Sequence, residues 1–246
     1  MKPEQAQIAG MSAAALLTLF NLIPQLQKQI TPKQYATNTY LYVILAILLC
    51  VISILVMQLY DVQYDNSIVI ALFIITIVII IGLNYIKNTV ARHLLWLLYI
   101  IATAYIMLPI YRATRETHTL SKVIGTVVVL TIGLVWYAST VGVNSFDSWG
   151  NYLIFGLLGL IVFEVIDLMF GKTQRFKMYS WIAIVLFSGF LMYDIKKVEQ
   201  RGTIIAELCR VDADKCAEYL NYPNESLNLY LDAINLLASV AGVSRG

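Results

Sequence analysis

Six stretches of this 246-residue chain run for about twenty residues with hardly a charge, at roughly 40–59, 67–86, 93–111, 121–141, 150–170 and 178–195. A helix rising about 1.5 Å per residue needs about 20 apolar residues to cross about 30 Å of hydrocarbon, so each run is long enough to span a bilayer. With 59% hydrophobic and 13% charged residues and a mean hydropathy of +0.74, the chain lies outside the composition of soluble globular domains. The expectation is an all-α polytopic membrane protein.

A seventh run, 226–243, is weaker because Asn228, Asp232, Asn235 and Ser239 interrupt it. These residues fall at i, i+4, i+7 and i+11, one stripe of a helix. The stripe predicts a C-terminal helix packed inside a seven-transmembrane-helix bundle with its polar face inward; an interfacial or re-entrant helix is the alternative. At the other end, Ile8, Met11, Ala15, Leu19, Leu22 and Leu26 recur at helical spacing without a cleavage site, so residues 1–35 read as a cytoplasmic amphipathic segment. Residues 36–246 then form a single transmembrane bundle.

The net charge of +2 says little, and orientation is read from Lys and Arg in the short loops. With the amino terminus inside, Lys2, Lys28, Lys33, Lys87, Arg92, Lys196, Lys197, Arg201, Arg210 and Lys215 are inner, against Arg112, Arg115, Lys122, Lys172, Arg175, Lys177 and Arg245 outside. The amino terminus is therefore expected in the cytoplasm. Lys196 to Glu225 is the one long interval between apolar runs, and its charge predicts a solvated, partly helical hairpin. Cys209 and Cys216 within it are expected reduced in a cytoplasmic loop and disulfide-bonded in an oxidising lumen; Cys50 simply packs. No metal-ligand spacing accompanies the cysteines.

Two acids in the apolar runs ask for a function. An ionised Asp at the bilayer centre costs about 2.5 to 3.5 kcal/mol on insertion scales, and most membrane helices avoid one. Asp194 ends the sixth run and Asp232 lies six residues into the seventh, about 9 Å along its axis. Consecutive antiparallel helices bring both to the same membrane depth. Facing each other in a low-dielectric site they favour sharing one proton, and they titrate as a pair. That chemistry is a proton sensor; the competing reading pairs Asp194 with Lys196 or Lys197 at the interface. Glu164 and Asp167, spaced i, i+3 near the end of the fifth run, are either a further cation-attracting station on an ion path with Asn228 and Asn235, or interfacial charges partnered by Lys172 and Arg175. Asn84, His93 and His118 are explained by solvation at helix ends, and Pro109 by a kink or boundary.

Several motifs match a known family. Ser145-Phe146-Asp147-Ser148-Trp149-Gly150, Gly156-Leu157-Leu158-Gly159-Leu160-Ile161-Val162, Gly189-Phe190-Leu191-Met192-Tyr193-Asp194 and Asn224-Glu225-Ser226-Leu227-Asn228-Leu229-Tyr230-Leu231-Asp232-Ala233-Ile234-Asn235 resemble the Bax inhibitor family of membrane proteins. The resemblance covers Phe146 to Leu237 in detail and the whole chain in layout, with Val127 to Ala138 similar to the family's fourth helix. It implies a seven-helix fold around a central last helix. It also implies a pH-regulated calcium leak with Asp194 and Asp232 as its sensor, no cofactor and only transient calcium as a metal, and a role in calcium homeostasis and in restraining cell death. Lipids, calcium and protons are the implied partners, with apoptosis regulators and without nucleic acid. The membrane is the endoplasmic reticulum or Golgi in a eukaryotic or viral setting and the plasma membrane in a bacterium. The chain departs from the family in the longer loop before the last helix, in lacking Lys-Arg before Asp147 and a glutamate between Ile100 and Leu108, and in having no Arg or Lys inside the second helix.

An intramembrane aspartyl protease also uses two aspartates on neighbouring helices, and Tyr193-Asp194 reproduces one half-site. Leu229-Tyr230-Leu231-Asp232 offers no glycine for a substrate backbone to approach, so no catalytic residue is assigned and the protein is read as a non-enzyme. A proton-coupled carrier is the remaining alternative; it predicts repeats and midplane helix breaks, and neither is evident.

Overall fold

Where the chain leaves the loop before its first apolar run, Thr31 and Gln34 exchange backbone and side-chain hydrogen bonds as a capping box, with Pro32 in the first turn. A cap of this kind is worth about 1 kcal/mol, and proline's fixed φ suits the first turn of a helix. Helix α1 therefore starts at Pro32 and runs to Leu59, eight residues before the apolar run begins. The computed structural model describes residues 30–169, 176–213 and 216–245. The predicted amphipathic segment from Ile8 to Leu26 lies outside them.

The remaining helices are α2 (Asn66–Tyr85), α3 (Thr89–Glu116), α4 (Leu120–Thr140), α5 (Trp149–Met169), α6 (Phe176–Val211) and α7 (Tyr222–Arg245), with a single helical turn at Cys216–Tyr219 before α7. The described residues contain no strand. Six of the seven helices are long and apolar enough to cross a membrane, and α5 contributes a shorter apolar stretch, Trp149–Phe163. The protein is thus an all-helical polytopic membrane protein. Large apolar side chains such as Ile70, Phe73, Val78, Val129, Ile132, Phe155 and Val185 are exposed, a surface that is tolerable only where lipid covers it. In α7 the balance reverses, with 67% of its span buried against 11–44% in the other five spans. A helix carrying polar groups stays in hydrocarbon only where protein covers it.

Helix ends differ from the apolar runs for a physical reason. Hydropathy marks where hydrocarbon stops, whereas a helix continues as long as its residues favour it. α3 runs through Pro109 to Glu116, so Pro109 is not a helix boundary. α6 continues past Ile195 for sixteen residues to Val211, so most of the predicted solvated hairpin is helix. Its charges form i, i+3 pairs along it, Lys196 with Glu199 and Arg210 with Glu207. Cys209, near the end of α6, is disulfide-bonded to Cys216 in the following turn.

Contacts divide the helices into two units, and the divisions fall inside α3, α6 and α7. Unit 1 comprises residues up to Pro109 together with Arg201–Leu227. Its centre is aromatic: Tyr42 stacks on Tyr222 at 5.7 Å and meets Trp96 edge-on at 5.5 Å. The polar tips of Tyr42, His93, Trp96 and Tyr222 find partners, while the buried Tyr35 hydroxyl has none among the described residues. His93 Nδ1 donates to the Thr89 carbonyl at 2.7 Å, which leaves Nε2 to accept from the Tyr42 hydroxyl, also at 2.7 Å. Trp96 Nε1 donates to Ser226 Oγ at 3.0 Å and Asn38 to Tyr222 Oη at 3.2 Å. His93 is accordingly a buried core residue, not the solvated helix-end group that its position predicted. The buried Arg92 guanidinium ties the turn before α7 to the end of α2, donating to the carbonyls of Ile86 and Glu218.

Unit 2 comprises Ile110–Gln200 and Asn228–Gly246. It packs with apolar and small residues. Val123, Val240 and Ala241 form one cluster with Ile184 and Leu237 against it, and Leu160, Tyr179 and Ala183 form another with Leu186 and Phe187. α5 and α6 approach so closely that a Cβ at Gly189 meets Leu153 at 2.8 Å and one at Gly150 meets the Tyr193 hydroxyl at 2.8 Å. Small residues at such crossings are how membrane helices gain van der Waals contact, since lipid supplies no hydrophobic drive between them.

Candidate functional site

The two aspartates singled out in the sequence meet inside unit 2. Asp194 comes from α6 and Asp232 from α7, and their carboxyl groups are hydrogen-bonded to each other. An ionised carboxylate only accepts, so a bond between two carboxyls requires a proton on at least one of them. Asp232 is buried at 6% exposure. Its Oδ2 is a buried oxygen with no hydrogen-bond partner among the described residues. Asp194 is half-buried.

The lysines that competed for Asp194 have other attachments. Lys196 donates to Glu199 at 2.8 Å, and Lys197 lies 5.3 Å over the Tyr193 ring. Tyr193 also packs so closely on α5 that a Cβ at Gly150 would lie 2.8 Å from its hydroxyl. One turn further, Gln200 donates to Val143 O, Asn144 Oδ1 and Asp147 Oδ1, pinning the loop before α5 to α6. The Ser145–Gly150 motif therefore acts structurally: Asp147 receives Gln200, Phe146 packs on Trp149 at 4.8 Å, and Gly150 makes room for Tyr193.

Not all of the polar stripe on α7 faces inward. Ser239 is buried, Asn235 is half-buried with its carbonyl accepting from Ser239 Oγ at 2.7 Å, and Asn228 is exposed. The inward stripe therefore needs correcting at Asn228, one helical turn from Asp232. Leu229, Tyr230, Ile234 and Leu236 are buried as well, so α7 is enclosed on most sides and its stripe is only one of the buried faces. Glu164 and Asp167 belong to α5, but their side chains lie outside the described residues. Among the described residues no group of three or more His, Cys, Asp and Glu is arranged to hold a metal ion.

Sequence reasoning missed one charged residue of α7. Glu225 was assigned to the solvated hairpin, yet α7 begins at Tyr222, and Glu225 is buried in its first turn against Arg201 of α6. The signal was present, since Glu225 precedes Asn228 by three residues and Asp232 by seven, continuing the same stripe. Only the expected start of the helix at 226 hid it.

The chain has bacterial relatives. It is 25% identical over 124 residues to an uncharacterized membrane protein of Vibrio cholerae, a match covering 50% of this chain and 48% of that one. It is 28% identical over 106 residues to an uncharacterized protein of Deinococcus radiodurans, covering 43% of each. A protein of Borreliella burgdorferi, also uncharacterized, is 26% identical over 105 residues, 43% of this chain and 42% of that one. The matched segments span less than half the length of these curated relatives. A family model described as Inhibitor of apoptosis-promoting Bax1 matches residues 32–243, from the first turn of α1 almost to the end of α7. The resemblance carried by a few motifs thus extends over nearly all of the described fold, and the chain belongs to the Bax inhibitor family.

Proposed function

We propose that this protein is a non-enzymatic cation leak, with calcium as the permeant ion, whose rate follows pH through Asp194 and Asp232. The observation that carries the reading is the hydrogen-bonded carboxyl pair between two membrane-spanning helices. While the pair shares a proton, the bond draws α6 and α7 together. When the proton leaves, two anions face each other, and unit charges about 4 Å apart repel by about 4 kcal/mol at an effective dielectric of about 20. A change of that size shifts a two-state helix arrangement by about a thousandfold. The freed carboxylate oxygens are hard donors of the kind calcium takes. Family membership supports calcium homeostasis and restraint of cell death as the physiological outcome, and the bacterial relatives support the plasma membrane as its location.

An intramembrane protease draws on the same pair, but Leu229 and Tyr230 before Asp232 are buried and leave no open backbone for a substrate strand. The deciding experiment reconstitutes the protein in liposomes loaded with a calcium dye and scans pH. The expected result is a leak whose pH profile is flattened by Asp194→Asn and by Asp232→Asn. Profiles unchanged in both variants overturn the sensor. Cleavage of a reporter transmembrane peptide that disappears with Asp194→Ala assigns the pair to hydrolysis instead.

A further inference from the structure

A second charged contact joins α6 to α7, this one inside unit 1. Arg201 Nη1 donates to Glu225 Oε1. Unlike the pairs of Lys196 with Glu199 and Arg210 with Glu207, which lie within α6, it links two helices. Its partners differ sharply in exposure: the Glu225 side chain is 7% exposed and the Arg201 side chain 48%. A carboxylate so buried needs a positive partner to stay ionised, while the guanidinium has solvent to move into. Beside them lies Tyr35, fully buried, its ring 5.3 Å from that of Tyr222. Its hydroxyl is within electrostatic reach of both Glu225 and Arg201 yet has no hydrogen-bond partner among the described residues. A carboxylate and an unpartnered hydroxyl are oxygen donors of the kind a hard cation takes.

We propose that Glu225 is a cation-binding station for a divalent ion and that Arg201 is its tethered competitor, so that an entering cation takes the carboxylate only when the guanidinium leaves it. The proposal rests on the cation-leak reading for its physiological meaning. It is independent of that reading in its chemistry, because one carboxylate cannot neutralise a guanidinium and a metal ion in full at once.

The probe is terbium(III), a hard oxygen-seeking ion whose luminescence is excited through nearby tyrosine rings, titrated into the detergent-purified full chain and then displaced with calcium. Losing the guanidinium frees the carboxylate from a charge-assisted hydrogen bond, so Arg201→Gln is expected to tighten terbium binding by about tenfold. Glu225→Gln and the double variant Arg201→Gln with Glu225→Gln lose that binding, and Arg201→Lys returns it to the parent value. The double variant leaves no unpaired buried charge, so a failure to fold in one single variant does not decide the matter. Equal terbium binding in the parent, Arg201→Gln and the double variant overturns the station. Liposome flux separates the two readings. A parent that does not leak calcium while Arg201→Gln still gains Glu225-dependent terbium binding removes the leak and keeps the station. A leak controlled by the aspartate pair with unaltered terbium binding removes the station alone.

Discussion

The junction between α6 and α7 is built in two different ways in the two units. In unit 1 it is covalent and oppositely charged, through the Cys209–Cys216 disulfide and Arg201 on Glu225, and α7 is anchored there also by Trp96 of α3 on Ser226 and by Tyr222 among Tyr35 and Tyr42 of α1. In unit 2 the same two helices meet through like groups, Asp194 and Asp232, among small and aliphatic residues. From the acid pair to the ion pair is seven residues along each helix, Asp194 to Arg201 and Asp232 back to Glu225. Opposite charges attract without a shared proton, whereas two acids attract only while they hold a proton between them. The acid pair in unit 2 is therefore the contact that depends on a shared proton.

Four substitutions break or sharpen that contrast, from the largest effect on stability to the smallest. Trp96→Ala empties the centre of unit 1 and removes the indole donor to Ser226 Oγ, and it is expected to cost about 3–5 kcal/mol, seen as a lower thermal midpoint of the purified protein. Replacing Cys209 and Cys216 with Ser opens a cross-link between residues seven apart, with an expected loss of about 2 kcal/mol on the chain-entropy model. The parent protein answers a question of orientation. A disulfide present when the protein is isolated under thiol-blocking conditions places this turn on an oxidising side, against the inner side favoured by the Lys and Arg distribution. Gly150→Ala puts a Cβ 2.8 Å from the Tyr193 hydroxyl and is expected to cost about 1–3 kcal/mol through overpacking, with a shifted pH profile of flux because Tyr193 adjoins Asp194. Asp232→Asn keeps a hydrogen bond to Asp194 and is expected to change stability by less than about 1 kcal/mol, while removing the pH response of calcium flux. An Asp232→Asn protein that loses as much stability as Trp96→Ala identifies the acid pair as a structural staple, and the contrast between the two ends fails.

How far the site was legible follows from which signals are periodic. Asp194 and Asp232 stood out because charge inside an apolar run is rare and expensive, and their pairing followed from the order of two consecutive helices. Glu225 and Arg201 did not stand out, because both lay beyond the hydrophobic boundaries, where charge is ordinary. His93 was misplaced for the same reason: nothing local distinguishes a solvated histidine at a helix end from one whose two nitrogens are engaged by Thr89 and Tyr42. Asn228 shared the stripe with Asp232 but is exposed, since helical periodicity assigns a face and not what covers it.

Alone, the sequence determined that the chain is a polytopic membrane protein, how many apolar segments it has, in what order they run, and which family they resemble. These follow from the thickness of hydrocarbon and from local composition, which act on each segment separately. Tertiary structure decided that α6 continues to Val211, that Cys209 joins Cys216, that Arg201 reaches Glu225, and that Asp194 bonds to Asp232 with one oxygen of Asp232 left buried and unpartnered. Each of these depends on a contact between particular side chains or on a helix outlasting its apolar stretch, and hydropathy contains neither.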